Sequence, residues 1–170
     1  MSATRLISIA DAPELAALLL DNQLHLAPWE PHRPDAYFTP DGQRQVIEDL
    51  LRQYDHGTAL PHVIVEDGRV IGRVTLTTIV RGPFQSASLG YFVDAHRTGR
   101  GVATEAVRQM CRISFADLGL HRIEAGTLVH NLRSQRVLEH NGFQRYGLAP
   151  RYLRIAGDWQ DHVLYQLLNE

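Results

Sequence analysis

The sequence predicts a mixed α/β (α+β) fold, a central and mostly antiparallel sheet flanked by helices. Three observations carry that expectation. The predicted elements run β-α-α-β-β-β-α-β-α-β-β along 170 residues. Neighbouring strands are joined by short turns, Asp67-Gly68 above all, and that pair favours a two-residue hairpin. One long amphipathic helix, over 102–118, is the crossover between stretches of antiparallel strand. At roughly 100–200 residues per domain, the length predicts a single domain over 1–170.

The elements follow in order. Residues 4–9 (T-R-L-I-S-I) form a short opening strand. Asp11 is placed to cap a helix with Pro13 and Glu14 in its first turn. Leu15, Leu18 and Leu19 make its apolar stripe, continued by Leu24 or Leu26. Prolines at 28, 31 and 34 forbid helix through 27–34 and predict an ordered loop. Val46, Ile47, Leu50 and Leu51 give helical spacing over 41–56. Strands are expected at 62–65, 70–76 and 86–93. The 102–118 helix turns Val102, Ala106, Met110 and Ile113 to one side, with Val107 and Leu118 beside them. A strand at 123–129 and a helix at 134–140 come next, and Asn141-Gly142 ends that helix. Strands near 143–154 and 159–168, joined by I-A-G-D, complete the chain.

Composition removes several function classes. There are 17 basic and 19 acidic residues, a net charge of −2. A chain built to neutralise a polyanion is far more basic, so no direct nucleic-acid partner is expected. The single cysteine, Cys111, excludes an internal disulfide and a thiolate metal cluster, and its place beside an apolar stripe makes it core filler. None of the nine histidines sits in an H-E-x-x-H setting, and no metal site is expected. The N-terminus lacks a signal-peptide core. No run approaches the roughly 18 apolar residues of a membrane span, so the expected location is cytoplasmic. A homodimer is compatible with this composition.

The chemistry concentrates in Y-F-V-D-A-H-R-T-G-R-G-V-A-T-E-A (91–106). A strand ends at Val93, a turn carries Arg97, Gly99, Arg100 and Gly101, and a long helix begins at once. A helix N-terminus exposes unpaired amides and about half a positive charge. Glycines let the backbone curl around an oxyanion, so this is a candidate phosphate or diphosphate cradle. A Walker loop is excluded, because the chain has no lysine. A dinucleotide fingerprint lacks its third glycine.

The stretch resembles motif A of the GNAT superfamily of N-acetyltransferases, (Q/R)-x-x-G-x-(G/A). Gly101-x-Ala103 fits it, while Thr98 stands where Gln or Arg is usual and Arg97 lies one place earlier. A second block, H-N-L-R-S-Q-R-V-L-E-H-N-G-F (130–143), resembles the N-x-x-S-x-R segment of RimJ/RimL-type members. The segments L-A-P-W-E-P-x-R (26–33), V-R-G-P-F (80–84), L-G-Y (89–91) and D-W-Q-D-H-V-L-Y (158–165) are similar to RimJ-type enzymes, and the likeness covers nearly the whole chain. It implies a GNAT-like sheet and acetyl-CoA as cosubstrate. The diphosphate is then expected on Gly99, Arg100, Gly101, Val102, Ala103 and Thr104, with Arg97 in support. The pantetheine arm is expected beside Phe92, Val93 and Asp94, reached by Asn131, with Ser134 near the sulfur.

Such enzymes acetylate the N-terminal alanine of a ribosomal protein, and the implied reaction is acetyl transfer to that α-amine. An amide near Phe92 is the expected oxyanion donor, and Ser134 is expected to assist the departing thiolate. Glu30, in the proline-stiffened loop beside Trp29, is the leading base, acting through water, with Glu124 next. Trp29, Glu30 and Arg81 are the candidate acceptor-binding residues, Phe84 standing beside Arg81. Two other readings use the same residues: a small-molecule amine or antibiotic N-acetyltransferase of this fold, and a non-catalytic acyl-CoA-binding regulatory domain.

Overall fold

The computed structural model describes residues 2–170. Seven strands form one sheet: β1 (Ala3–Leu6), β2 (Leu60–Glu66), β3 (Arg69–Val80), β4 (Ser86–Val93), β5 (Arg122–Leu128), β6 (Gln144–Ile155) and β7 (Asp158–Leu168). Their order across the sheet is β1-β2-β3-β4-β5-β7-β6. Every neighbouring pair is antiparallel except β4 and β5. The helices are α1 (Ala12–Asp21), the one-turn α2 (Gln23–Leu26), α3 (Pro40–Asp55), α4 (Val102–Ala116) and α5 (Leu132–His140). Among the described residues no helix is long and apolar enough to cross a membrane.

Two cores lie on opposite faces of the sheet. Under α4 and α5, Val74, Leu76, Leu89, Val107, Met110, Ile123 and Leu138 pack together. Under α1 and α3, Leu15, Leu19, Ile47, Val63 and Phe92 do the same. Alternate residues of a strand face opposite sides, which is why Val63 and Ile64 fall into different cores. The Asp67-Gly68 turn has positive φ at both residues (51° and 78°), as the sequence requires of a tight hairpin. Cys111 is buried, and burial pushes its thiol up to about 12. It fills the core.

Two local expectations change. Strand β1 stops at Leu6, and Ser8, not Asp11, supplies the N-terminal cap. Asp11 makes no side-chain cap to α1 and instead accepts the Ser8 amide at 2.8 Å. A side chain that reaches backward to close a capping box is not available to cap forward. Of the two candidate stripe residues, Leu26 is buried and Leu24 is 91% exposed, because α1 breaks at Asn22 and the helical phase restarts.

The feature that positions the site is a fork in the sheet. β4 pairs with β5 only over Ser86–Ser88 against Arg122–Glu124. Beyond Ser88, β4 stays with β3 while β5 stays with β7. One edge of Leu89–Val93 is therefore left without a strand partner.

Candidate active site

The turn after β4 leaves a run of backbone amides open. Gly99 and Gly101 have φ of 74° and 77°, and an added Cβ at either would meet no atom within 4 Å. The space above the backbone is open. α4 begins at Val102 with no side-chain cap. Among the described residues no amide from Gly99 through Thr104 has a hydrogen-bond partner, and the first bonded one is Glu105, to Gly101 O at 2.9 Å. Unpaired amides converging at a helix start suit phosphate oxygens. The turn is fixed from below by buried Asn22, whose Oδ1 accepts the Ala95 amide at 2.8 Å.

The two arginines expected to support that anion divide. Arg97 is committed to Glu66 of the β2–β3 hairpin, Nη1 to Oε2 2.8 Å. This ion pair ties the turn that carries Arg97 to the β2–β3 hairpin. Arg100 is exposed and makes no ion pair among the described residues. Thr98 Oγ1 donates to Ala95 O at 2.8 Å and serves the turn itself.

The free edge of β4 faces the fork. The Asp94 amide donates to Ile71 O across the β3 ladder at 2.8 Å. Backbone groups of an antiparallel strand alternate sides, so Phe92 also points at β3, in register with Arg73. The amides of Tyr91 and Val93 point into the fork. The expected donor near Phe92 is thus a neighbour of Phe92, and Phe92 and Asp94 bring no main-chain donor to this edge.

Tyr91 spans the fork. Its hydroxyl lies 2.8 Å from Ser134 Oγ and donates to Ser134 O at 3.1 Å. Burial pushes the Tyr91 phenol up to about 12, so it stays protonated. Asn131 caps α5, its Oδ1 accepting the Ser134 amide at 3.2 Å. Its amide nitrogen has no partner among the described residues. Asn131 and Ser134 thereby stand on the wall opposite the β4 edge.

On the α1/α3 side of β4 a cavity of about 230 Å³ is lined by Glu30, Leu50, Arg73, Thr75, Thr77, Gly90, Tyr91 and Phe92. A second, of about 160 Å³, is lined by Glu30 and Arg33 among others. Glu30 belongs to both. Burial raises its carboxyl above the usual range, against the opposing pull of Arg33 and Arg73. Trp29 lies 5.4 Å from the His130 ring, so the proline loop leans on the residue before Asn131.

Three other residues named from the sequence lie elsewhere. Arg81 Nη1 donates to Leu118 O at 2.5 Å and to Gln85 Oε1 at 3.2 Å. It staples the β3–β4 turn to the end of α4 and lines neither cavity. Phe84, in that turn, is half exposed. Glu124 accepts from Tyr146 Oη at 2.9 Å, pairs with Arg122 at 3.3 Å and lines neither cavity. Sequence reasoning missed Asn22, the hydroxyl role of Tyr91 and Arg73. Arg73 had one local signal, a charge inside an otherwise apolar strand.

Comparison with known proteins identifies the fold and the family. A family model described as "Acetyltransferase (GNAT) domain" matches residues 4–144. A probable N-acetyltransferase of Bacillus subtilis, YjcK, is 38% identical over 97% of this chain and 92% of its own. The crystal structure of ribosomal-protein-S5-alanine acetyltransferase from Vibrio fischeri superposes with a TM-score of 0.95 at 37% identity, covering 99% of this chain and 93% of that one. RimJ of Mycobacterium smegmatis, in complex with CoA-disulfide, also gives 0.95 at 35% identity, over 98% and 81%. Family model, relatives and fold converge, and the chain is an N-acetyltransferase of the GNAT family.

Proposed function

We propose that this enzyme transfers acetyl from acetyl-CoA to the N-terminal α-amine of a protein, with an alanine-starting ribosomal protein the leading acceptor. The observation that carries the reading is the arrangement around the free β4 edge. An anion cradle at 99–104 lies at its end, Tyr91 and Ser134 lie on one side, and the Glu30 cavity lies on the other. The name of the V. fischeri relative, a ribosomal-protein-S5-alanine acetyltransferase, supports the acceptor class.

Acetyl-CoA supplies an activated thioester. Gly99, Arg100, Gly101, Val102, Ala103 and Thr104 hold its diphosphate, mainly through main-chain amides. Val93 and Asn131 flank the pantetheine. The Tyr91 or Val93 amide stabilises charge building on the carbonyl oxygen, worth about 3–4 kcal/mol for a well-placed donor. The Ser134–Tyr91 hydroxyl pair hydrogen-bonds the departing sulfur, which at a thiol pKa near ~8.5 leaves without complete protonation. The C–S bond breaks, the C–N bond forms, and the amine proton passes through water to Glu30.

An α-amine suits so modest a base. Its pKa of about 7.7–8.0 leaves a good fraction neutral near pH 7.5, whereas a lysine amine at ~10.4 needs about 4 kcal/mol more. Positioning then supplies most of the rate. The test is thiol release from acetyl-CoA with an Ala-starting peptide, set against a panel of small amines and lysine peptides. Fast turnover of the peptide alone supports the reading. A preference for a small amine, or acetyl-CoA binding without turnover, overturns it.

A further inference from the structure

Seven buried side-chain atoms of the described residues have no hydrogen-bond partner, and two of them, Arg73 Nη1 and Thr75 Oγ1, belong to residues lining the Glu30 cavity. Buried polar groups are almost always paired, so each exception calls for an explanation. Both sit on β3 two residues apart, and strand alternation puts them on one face. The Arg73 guanidinium lies 5.6 Å over the Phe92 ring, which holds its plane without using its N–H donors.

Glu30 stands on the same cavity, yet among the described residues no ion pair within 4 Å joins it to Arg73. The cavity thus offers a carboxyl and a guanidinium kept apart, with the Leu50 and Phe92 side chains as apolar lining. A simple amine satisfies the carboxyl and leaves the guanidinium unpaired. A group that carries an amine and a carbonyl oxygen on one carbon unit satisfies both.

We infer that Arg73, helped by Thr75, binds the carbonyl oxygen of the acceptor's first residue, and that this contact makes the enzyme select α-aminoacyl acceptors over plain amines. The inference rests on the acetyl-transfer reading above and adds a residue and a rule of selection to it. A site built to hydrogen-bond a substrate oxygen rejects the analogue that lacks it far more strongly than an apolar pocket rejects a missing methylene, because its own donors are then left unpaired.

The experiment compares three acceptors at saturating acetyl-CoA: an Ala-starting peptide, free L-alanine, and a fluorinated isopropylamine. The fluorine brings that amine toward a peptide α-amine in basicity, and it has no carbonyl. The wild type is expected to favour the peptide over the alkylamine by at least about 100-fold in kcat/KM. Arg73→Met should lower kcat/KM for the peptide about 100-fold more than for the alkylamine, the smaller loss common to both coming from withdrawal of its charge from Glu30, with the acetyl-CoA KM unchanged. Arg73→Lys should restore part of the preference. Equal use of peptide and alkylamine by the wild type overturns the inference. So does an equal loss on both acceptors in Arg73→Met, which marks a structural role, or a preference for free alanine, which makes the bound group a carboxylate. Turnover of none of the three acceptors removes the α-amine reading and this inference with it, whereas turnover without selection removes the inference alone.

Discussion

The Ala156 amide donates to the Glu30 carbonyl at 2.9 Å. That bond ties the tip of the β6–β7 hairpin to the proline loop and sets where the Glu30 carboxyl stands. Gly157, next in the tip, has φ of 90°, and an added Cβ there would fall 2.9 Å from His32 Cε1. Gly157→Ala therefore strains the backbone and pushes His32 and its loop outward. The expected result is a several-fold rise in the acceptor KM with acetyl-CoA affinity unchanged, and a stability loss of about 1–2 kcal/mol. Steady-state kinetics with each substrate varied and a thermal melt check it.

Gly101→Val should weaken acetyl-CoA binding at least about tenfold by calorimetry, because a β-branched residue resists φ near +77° and shifts the amides of the turn. Gly68→Val is the control. It has nearly the same φ, 78°, with nothing within 4 Å of its Cβ position, but lies in the β2–β3 turn. It should lose stability and keep acetyl-CoA affinity.

Tyr91→Phe removes a buried hydroxyl that meets both Ser134 O and Ser134 Oγ. The Ser134 carbonyl then loses that donor, at a cost of about 1 kcal/mol. Rapid-mixing kinetics should show a slower chemical step in Tyr91→Phe and in Ser134→Ala, with the double variant no worse than the poorer single one. Additive losses would mean that the two hydroxyls act separately.

Glu30 should leave two signatures of opposite sense. As the base, Glu30 works only while ionised, so Glu30→Gln lowers the rate most above the folded pKa of Glu30, and the loss shrinks as acid protonates the wild-type carboxyl. An unchanged pH–rate profile dismisses that role. For stability, burial raises its folded pKa, so the fold favours the neutral acid. Its contribution is greatest when protonated and declines as pH rises through the folded value. Glu30→Gln should therefore melt higher than the wild type near pH 7, and the difference should vanish at acidic pH.

His62 reports on acid stability independently of the site. It is 8% exposed, and burial pushes its imidazole down to about 4 from 6.5. Its contribution is intact above pH 6.5 and is lost as pH falls from 6.5 toward 4, because the unfolded chain takes up the proton first. The loss over that window is of the order of 2–3 kcal/mol. Denaturant titrations of His62→Gln should show a shallower decline over the same window.

The sequence by itself determined the glycine turn ahead of α4 and the frame around it. Gly99 and Gly101 ahead of a long amphipathic helix, Asp67-Gly68 between two β-branched runs, and prolines at 28, 31 and 34 each act through local backbone geometry, which a few adjacent residues dictate. The alternation of strands and helices gave the sheet class for the same reason. The tertiary structure alone decided which charges were free. Arg97 and Arg81 carry no local mark of being spent, and only the return of β2 and the end of α4 supplied Glu66 and the Leu118 carbonyl. Arg73 was the reverse, an inconspicuous charge in a strand until the proline loop set Glu30 on the same cavity and left its Nη1 without a partner. The fork between β4 and β5, and the choice of Tyr91 and Val93 over Phe92, depend on which strands pair and in what register. Register is a property of two distant segments, and neither segment alone contains it.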